Sequence, residues 1–511
     1  MAYFTTNLAG LILPDLYICE LSPPRRVQGV GTGVVACIGE FQKGPVNVST
    51  TIGSLAELLD VFGGRGTTTS LDGTVTGTPY NGYISLINKG WQDLRVCRVG
   101  NSGQVAASVT LISQDGSPLN MLGIAATYVG VYGNQLKFTV SAGSHTGRKI
   151  LMYNERGQIY KFDDVDTTTT AGLAKFTTAL NRTRQVVATA LQPGTLKLGT
   201  FALTGGSDGT FLLGDYTGSN DHEIGIRVFE RDDDVNIMFW AENGMAVTDQ
   251  QVTDLNTAMK DHCDNASTRI GIMCALPGYG VDGVVTWLTG DNVNPGQGFV
   301  GDRCIFCFPY VYTFDGDISE DILVAPTSFV AAKIASLSPH VSPSNKELGG
   351  VVGMELNLTR AELVKLTENG ILAIAFVKGG GYRIRNGRTT EVIDTGRWQI
   401  FRRRMTDYIQ IALARSLYWA VSEPHTKELR RQIRQSIIDF LAELESLGMI
   451  GDPNGILPAY NVICDASNNP GSVVAAGRLY CDVRVRLIAA ADFIIIRTEI
   501  GEGVITAQIA A

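Results

Sequence analysis

Cys304 and Cys307, in the run Cys304-Ile305-Phe306-Cys307, are spaced as a pair of thiolate metal ligands would be. A zinc site of that kind needs a second pair or nearby histidines, and neither accompanies this one, whose apolar setting reads as strand core. His222-Glu223 lacks the second histidine of a zinc-protease helix, and the five histidines of the chain are scattered. Gly205-Gly206 and Gly379-Gly380-Gly381 invite a phosphate-loop reading, but no glycine-lysine phosphate motif is present and neither run joins a strand to a helix. Both read as turns. Asp163-Asp164 and Asp232-Asp233-Asp234 could gather a cation, yet they lack the spacing and the glycine of an EF-hand and read as solvated acidic loops. These residues lead us to expect no catalytic group, no cofactor and no metal.

Arg402, Arg403 and Arg404 make the strongest functional candidate. Three consecutive helical side chains fan over about 200°, so the run has two readings: charge paired inside the chain, or a basic surface that grips an acidic partner. Nucleic acid fits poorly as that partner. The chain is acidic overall, with a net charge of -8, and shows no basic-aromatic alternation.

The arginines must be held by a helix running from about Gln399 to Ala420. A second helix follows from His425 to Leu447, with Leu429, Ile433, Ile437, Leu441 and Leu444 at helical spacing and Gly448 as its stop. Between Lys378 and Arg434 there are 13 Lys+Arg against 5 Asp+Glu, leaving 29 against 45 elsewhere. A chain divided in this way can attract copies of itself or an acidic partner.

Upstream, residues 1 to 24 carry little core pattern except Leu13 to Leu21, an extended segment closed by Pro23 and Pro24. A strand at Val34 to Ile38, a helix at Leu55 to Phe62 capped by Ser54, a helix at Gly82 to Lys89 and a strand at Asp93 to Val99 follow. From about 104 to 204 short alternating strands and Thr/Gly turns predict a β-rich insertion. Beyond it, strands at Val235 to Trp240, Ile270 to Ala275 and Cys304 to Phe308 alternate with helices, among them Asp249 to Asn265 and Pro326 to Ser336, which argues for an α/β layer.

The length of 511 residues suits about three domains. Nine cysteines without regular spacing fit reduced thiols better than a disulfide framework. No signal peptide is expected, since the early apolar stretch Leu8 to Leu13 is broken by Gly10 and no basic residue precedes Arg25. No apolar run reaches eighteen residues, so no membrane insertion is expected.

Leu457 to Ile500 is the most informative stretch. Leu479, Cys481, Val483, Val485 and Leu487 alternate with Asp482, Arg484 and Arg486, the pattern of a half-buried strand. Phe493-Ile494-Ile495-Ile496 then asks to be covered on both faces close to the end of the sequence, which suggests a strand buried in another subunit. The order of strand, Cys464-Asp465-Ala466-Ser467-Asn468-Asn469-Pro470 turn, alternating strand and Asp492-Phe493-Ile494-Ile495-Ile496-Arg497 resembles the C-terminal domain of tail sheath proteins, the polymerising sleeves of contractile phage tails and related injection machines. Other landmarks are similar to that family: the Lys43-Gly44-Pro45-Val46 turn, the stretch Ala126 to Leu136 with Tyr132 at an aromatic position, and Leu366 to Ile371 and Asn386 to Thr390. The loop Ser342 to Leu348 also matches, with Ser344 in place of an alanine.

The resemblance implies a structural subunit forming hexameric rings stacked helically around an inner tail tube, with baseplate and tail terminator proteins as further partners. A wave of contraction would drive the tube through a bacterial envelope without nucleotide. It places the protein in a virion tail or phage-like particle, made in the host cytoplasm. The fold expected is multidomain, α+β and α/β: an α/β core with an inserted β-rich domain and extended N- and C-terminal arms. Its divisions are 1–24 (arm), 25–103 (core), 104–204 (insertion), 205–344 (α/β), 345–490 (C-terminal core) and 491–511 (arm). Leu13, Leu16, Tyr17, Ile18 and Leu21, with Phe493, Ile494, Ile495 and Ile496, are expected to pair with neighbouring subunits, and Arg402, Arg403 and Arg404 to face the tube. From the residues alone, a cytosolic α/β enzyme with a β-rich insertion stays open, as does a carbohydrate-binding module.

Overall fold

The computed structural model describes residues 27–65, 80–87, 91, 93–115, 118–154, 157–218, 224–243, 248–290, 299–392, 397–492 and 494–496, and the backbone of four short strands at 3–4, 17–18, 68–69 and 75–76. The chain forms two compact units, Gly31–Arg403 and a second built from Met1–Val30 together with Arg404–Ala511. Residues 345–403 thus fold with the larger unit.

The larger unit is organised on an eight-stranded sheet in the order Gly381–Ile384, Ile371–Val377, Cys304–Phe308, Ile270–Met273, Ile237–Trp240, Val35–Gly39, Leu94–Arg98 and Thr50–Ile52. The six inner strands run parallel, and an antiparallel strand closes each edge. Parallel strands are covered on both faces, which is why their sequences are continuous apolar runs such as Ile-Met-Phe-Trp and Cys-Ile-Phe-Cys-Phe. Alternate residues feed two cores. Ile38, Trp240, Met273 and Phe306 meet Leu255 and Met259 of the helix Asp249–Ala266 on one side. Cys37, Phe239, Ile272 and Ile305 meet Leu58 and Phe62 of the helix Leu55–Phe62, and Phe329 and Ile334 of the helix Thr327–Ala335, on the other.

Local signals set the helix ends. The Ser54 hydroxyl accepts from the Glu57 amide at 3.2 Å, and Gly63 stops that helix at a φ of 81°. A Cβ at Gly63 would lie 2.2 Å from Gln42 Oε1, so only glycine closes this turn without displacement.

Residues 105–204 carry sheets of their own. One is four-stranded, ordered Gly157–Val165, Arg148–Asn154, Lys137–Ala142 and Gly199–Ala202; the other is three-stranded, ordered Val186–Ala190, Asn120–Ala126 and Ser108–Ile112. They share a separate core that includes Leu122, Phe138, Ile150 and Val186. A helix at Thr170–Arg182, absent from the β-rich expectation, adds Leu173, Phe176 and Leu180 to it. Asp208 ties this region to the main sheet: it accepts from the Tyr80 hydroxyl at 2.7 Å and the Val131 amide at 3.0 Å, with Arg98 at 3.9 Å.

In the smaller unit the helix Lys427–Ser446 turns Leu429, Ile433, Ile437, Leu441 and Leu444 inward against a two-stranded antiparallel sheet, Tyr460–Ile463 with Asp482–Val485. Val27 and Met405 join that core, and the Gln28 amide donates to the Ser416 hydroxyl at 3.0 Å.

Candidate assembly surfaces

None of the motifs that invited a catalytic reading is arranged as a catalytic or metal site among the described residues. Cys304 and Cys307 lie three apart on one strand, so they project from opposite faces, each into a different core, and cannot share a metal. Burial pushes both thiols well above the ordinary thiol range. The Gly379 run is the turn of a hairpin, with the Gly380 amide donating to the Val377 carbonyl at 2.8 Å. In the other glycine run, the Gly206 carbonyl accepts from Asn134 at 3.0 Å. Asp163 and Asp164 accept from the backbone amides of Ser144 and His145. No group of three or more His, Cys, Asp or Glu side chains among the described residues could hold a metal ion. His222 and Glu223 lie outside them.

A cavity of about 750 Å³ opens where Val46 to Ser49 meet Arg95, Arg231 and Asp232. Its charges are engaged locally: Arg95 lies 3.5 Å from Asp232, whose other donor is the Ser49 hydroxyl at 2.9 Å.

The three arginines of the run differ in burial. Arg403 is 2% exposed, and its Nη1 lies 3.1 Å from Asp302 Oδ2. Arg404 is 6% exposed, and burial draws its guanidinium down to about 10. Both lie on the helix Ile400–Leu417 and are buried within this chain. Arg402 is half-buried, its guanidinium carbon 5.9 Å from the centroid of the Phe401 ring.

The C-terminal pattern takes the expected form with one difference. Asp482, Arg484 and Arg486 are exposed and Cys481, Val483, Val485 and Leu487 face the helix, but the facing residues are only half-buried. The cause is the sheet's size, because two strands cover little of one another and leave both outer edges without a ladder partner among the described residues. Ile494, Ile495 and Ile496 carry no regular structure and are 84%, 80% and 80% exposed. Tyr17 and Ile18 pair in parallel with Tyr3 and Phe4. Leu13, Leu16, Leu21 and Phe493 lie outside the described residues.

This is the fold of sheath-type proteins. The sheath tail protein of Desulfitobacterium hafniense superposes with a TM-score of 0.61 at 14% identity, over 88% of this chain and 93% of that one. The anti-feeding prophage helical sheath in its contracted state gives 0.57 at 13% identity, over 97% and 99%. Residues 399–501 match the family described as the phage tail sheath C-terminal domain. A tail sheath protein of Vibrio phage KVP40 is 22% identical over 230 residues, which cover 42% of this chain and 33% of that relative, about a third of its length. The family match is thus carried by residues 399–501, and the rest of the chain shares the fold.

Proposed function

We propose that this chain is the repeating subunit of a contractile sheath, assembling with its own copies as stacked hexameric rings around an inner tube and contracting to drive that tube through a bacterial envelope. The observation that carries this reading is the two-stranded sheet inside the matched C-terminal region. Among the described residues its edges carry no further strand, in the same unit that exposes Ile494 to Ile496. A strand from a neighbour added to such an edge gains ladder hydrogen bonds worth roughly 1 kcal/mol net apiece and covers the half-buried face. Leu13, Leu16, Tyr17, Ile18 and Leu21 with Phe493 to Ile496 supply those strands, and residues 104–204 act as an inserted domain. Arg402 is the arginine with surface to offer an acidic tube. The tube, baseplate and tail terminator proteins complete the partners, in a virion tail or phage-like particle assembled in the host cytoplasm. Electron microscopy of the purified protein tests the reading: long striated tubes are expected, and isolated globules that never polymerise would favour the enzyme alternative.

A further inference from the structure

The hairpin of the smaller unit brings two thiols together. Val462 pairs with Val483 and Ile463 with Asp482, so one step further along each strand sets Cys464 opposite Cys481. Opposed residues of an antiparallel pair have Cα atoms about 4.5–5.5 Å apart, inside the roughly 4.4–6.8 Å that a disulfide spans. The two thiols are close enough for each to shift the other's titration. The turn beyond them is clamped: Asn469 Nδ2 donates to the Tyr480 carbonyl and its Oδ1 accepts from the Tyr480 amide, both at 2.8 Å.

We propose that Cys464 and Cys481 form an oxidisable dithiol that hydrogen peroxide closes into an intramolecular disulfide across this hairpin. Cys464 is the attacking sulfur. The neighbouring Cys481 thiol holds it below the ordinary thiol range, and Arg430 and Arg434 of the facing helix favour its thiolate against Asp465. Cys481, pushed up by Cys464, keeps its proton and is the resolving thiol. The contrast is with Cys97, which burial alone pushes up to about 12 and leaves inert.

In the first step the Cys464 thiolate attacks one peroxide oxygen. The O–O bond breaks, leaving a sulfenic acid and a hydroxide that takes up a proton as water. Cys481 then gives up its proton and attacks the sulfenic sulfur. The S–S bond forms, the S–O bond breaks, and the departing hydroxide leaves as water with that proton. Two thiols supply two electrons to one peroxide, giving one disulfide and two waters. The inference stands on the hairpin and does not depend on the assembly reading.

The test uses the reduced full chain, treated with dilute hydrogen peroxide, alkylated in denaturant and mapped by mass spectrometry after digestion. A cross-linked peptide joining Cys464 to Cys481, about 2 Da below the sum of the two reduced peptides, is expected. Two of the nine thiols should be lost, and dithiothreitol should restore them. A Cys481→Ser chain should instead hold a sulfenic acid at Cys464 that dimedone traps. The proposal is overturned if both cysteines remain as alkylatable as Cys97, or if each is oxidised separately with no cross-link.

Discussion

Arg403 and Glu40 show how far single charged groups of this chain are committed to its interior. The Arg403–Asp302 pair is shielded, but Arg397 also reaches Asp302 at 3.4 Å, so an Arg403→Ala change leaves the carboxylate one partner. The expected loss is therefore at the lower end for a buried pair, about 2–3 kcal/mol, read as a shift in the urea midpoint at constant slope. Arg402→Glu should leave that midpoint in place and reduce sheath formation on tubes, an effect expected to resemble that of raised salt on wild type. If the variant assembles at full length, Arg402 has no tube-facing role. Glu40 accepts from the Tyr216 hydroxyl at 2.7 Å, and burial raises its carboxyl above the ordinary range in spite of that bond. A raised folded-state value favours the protonated form, so its contribution is present in acid and is lost as pH rises through the raised value. Glu40→Gln keeps the acceptor and removes the charge. Its stability relative to wild type should therefore climb between about pH 4 and neutrality, as urea melts at a series of pH values would record. A pH-independent difference would show that the Glu40 carboxyl is not raised.

Among the elements, those defined by local chemistry were legible and those defined by distant partners were not. The helix Leu55–Phe62 has its cap and stop in adjacent residues, and the strand Cys304–Phe308 is a bounded apolar run; both have the limits read from sequence. The helix Thr170–Arg182 was passed over, although Thr169 caps it and Leu173, Phe176 and Leu180 keep helical spacing, because Thr-rich surroundings also suit strands. The order of the eight strands pairs Val35–Gly39 with Ile237–Trp240 across some two hundred residues, and no local pattern encodes that choice. The partner that settles Arg403, Asp302, is likewise 101 residues away. At the C-terminus the alternation gave the direction of each side chain, but the half-burial of the inward face depends on how many strands the sheet has, which the alternation does not encode. An Ile495→Asp chain tests the proposed interface: the residue is exposed, so the unfolding free energy should stay within about 0.5 kcal/mol of wild type while polymerisation fails. Unimpaired tubes from that variant would remove Ile495 from the interface.

At the scale of the whole molecule, removal of residues 1–24 should give a folded, largely monomeric protein with an unchanged thermal transition. The described pairing of that segment, Tyr3–Phe4 with Tyr17–Ile18, is internal to it, and Val27, which packs into the smaller unit, is retained. Light scattering and a melting curve check the expectation; normal polymerisation would make the arm dispensable, and unfolding would make it part of its own core. The bond from Gln28 to Ser416 joins residues 388 apart, and it bears on how the protein is made as well as on how it stands. Translation at about 5–20 residues per second leaves roughly 20–80 s between the two emerging from a ribosome. Throughout that interval Val27 and Gln28 have no home, because the helices that receive them are still unwritten. On the proposed reading, the unit that joins one subunit to the next is thus the last of the two to close, and a nascent chain does not polymerise before residue 416 has been made.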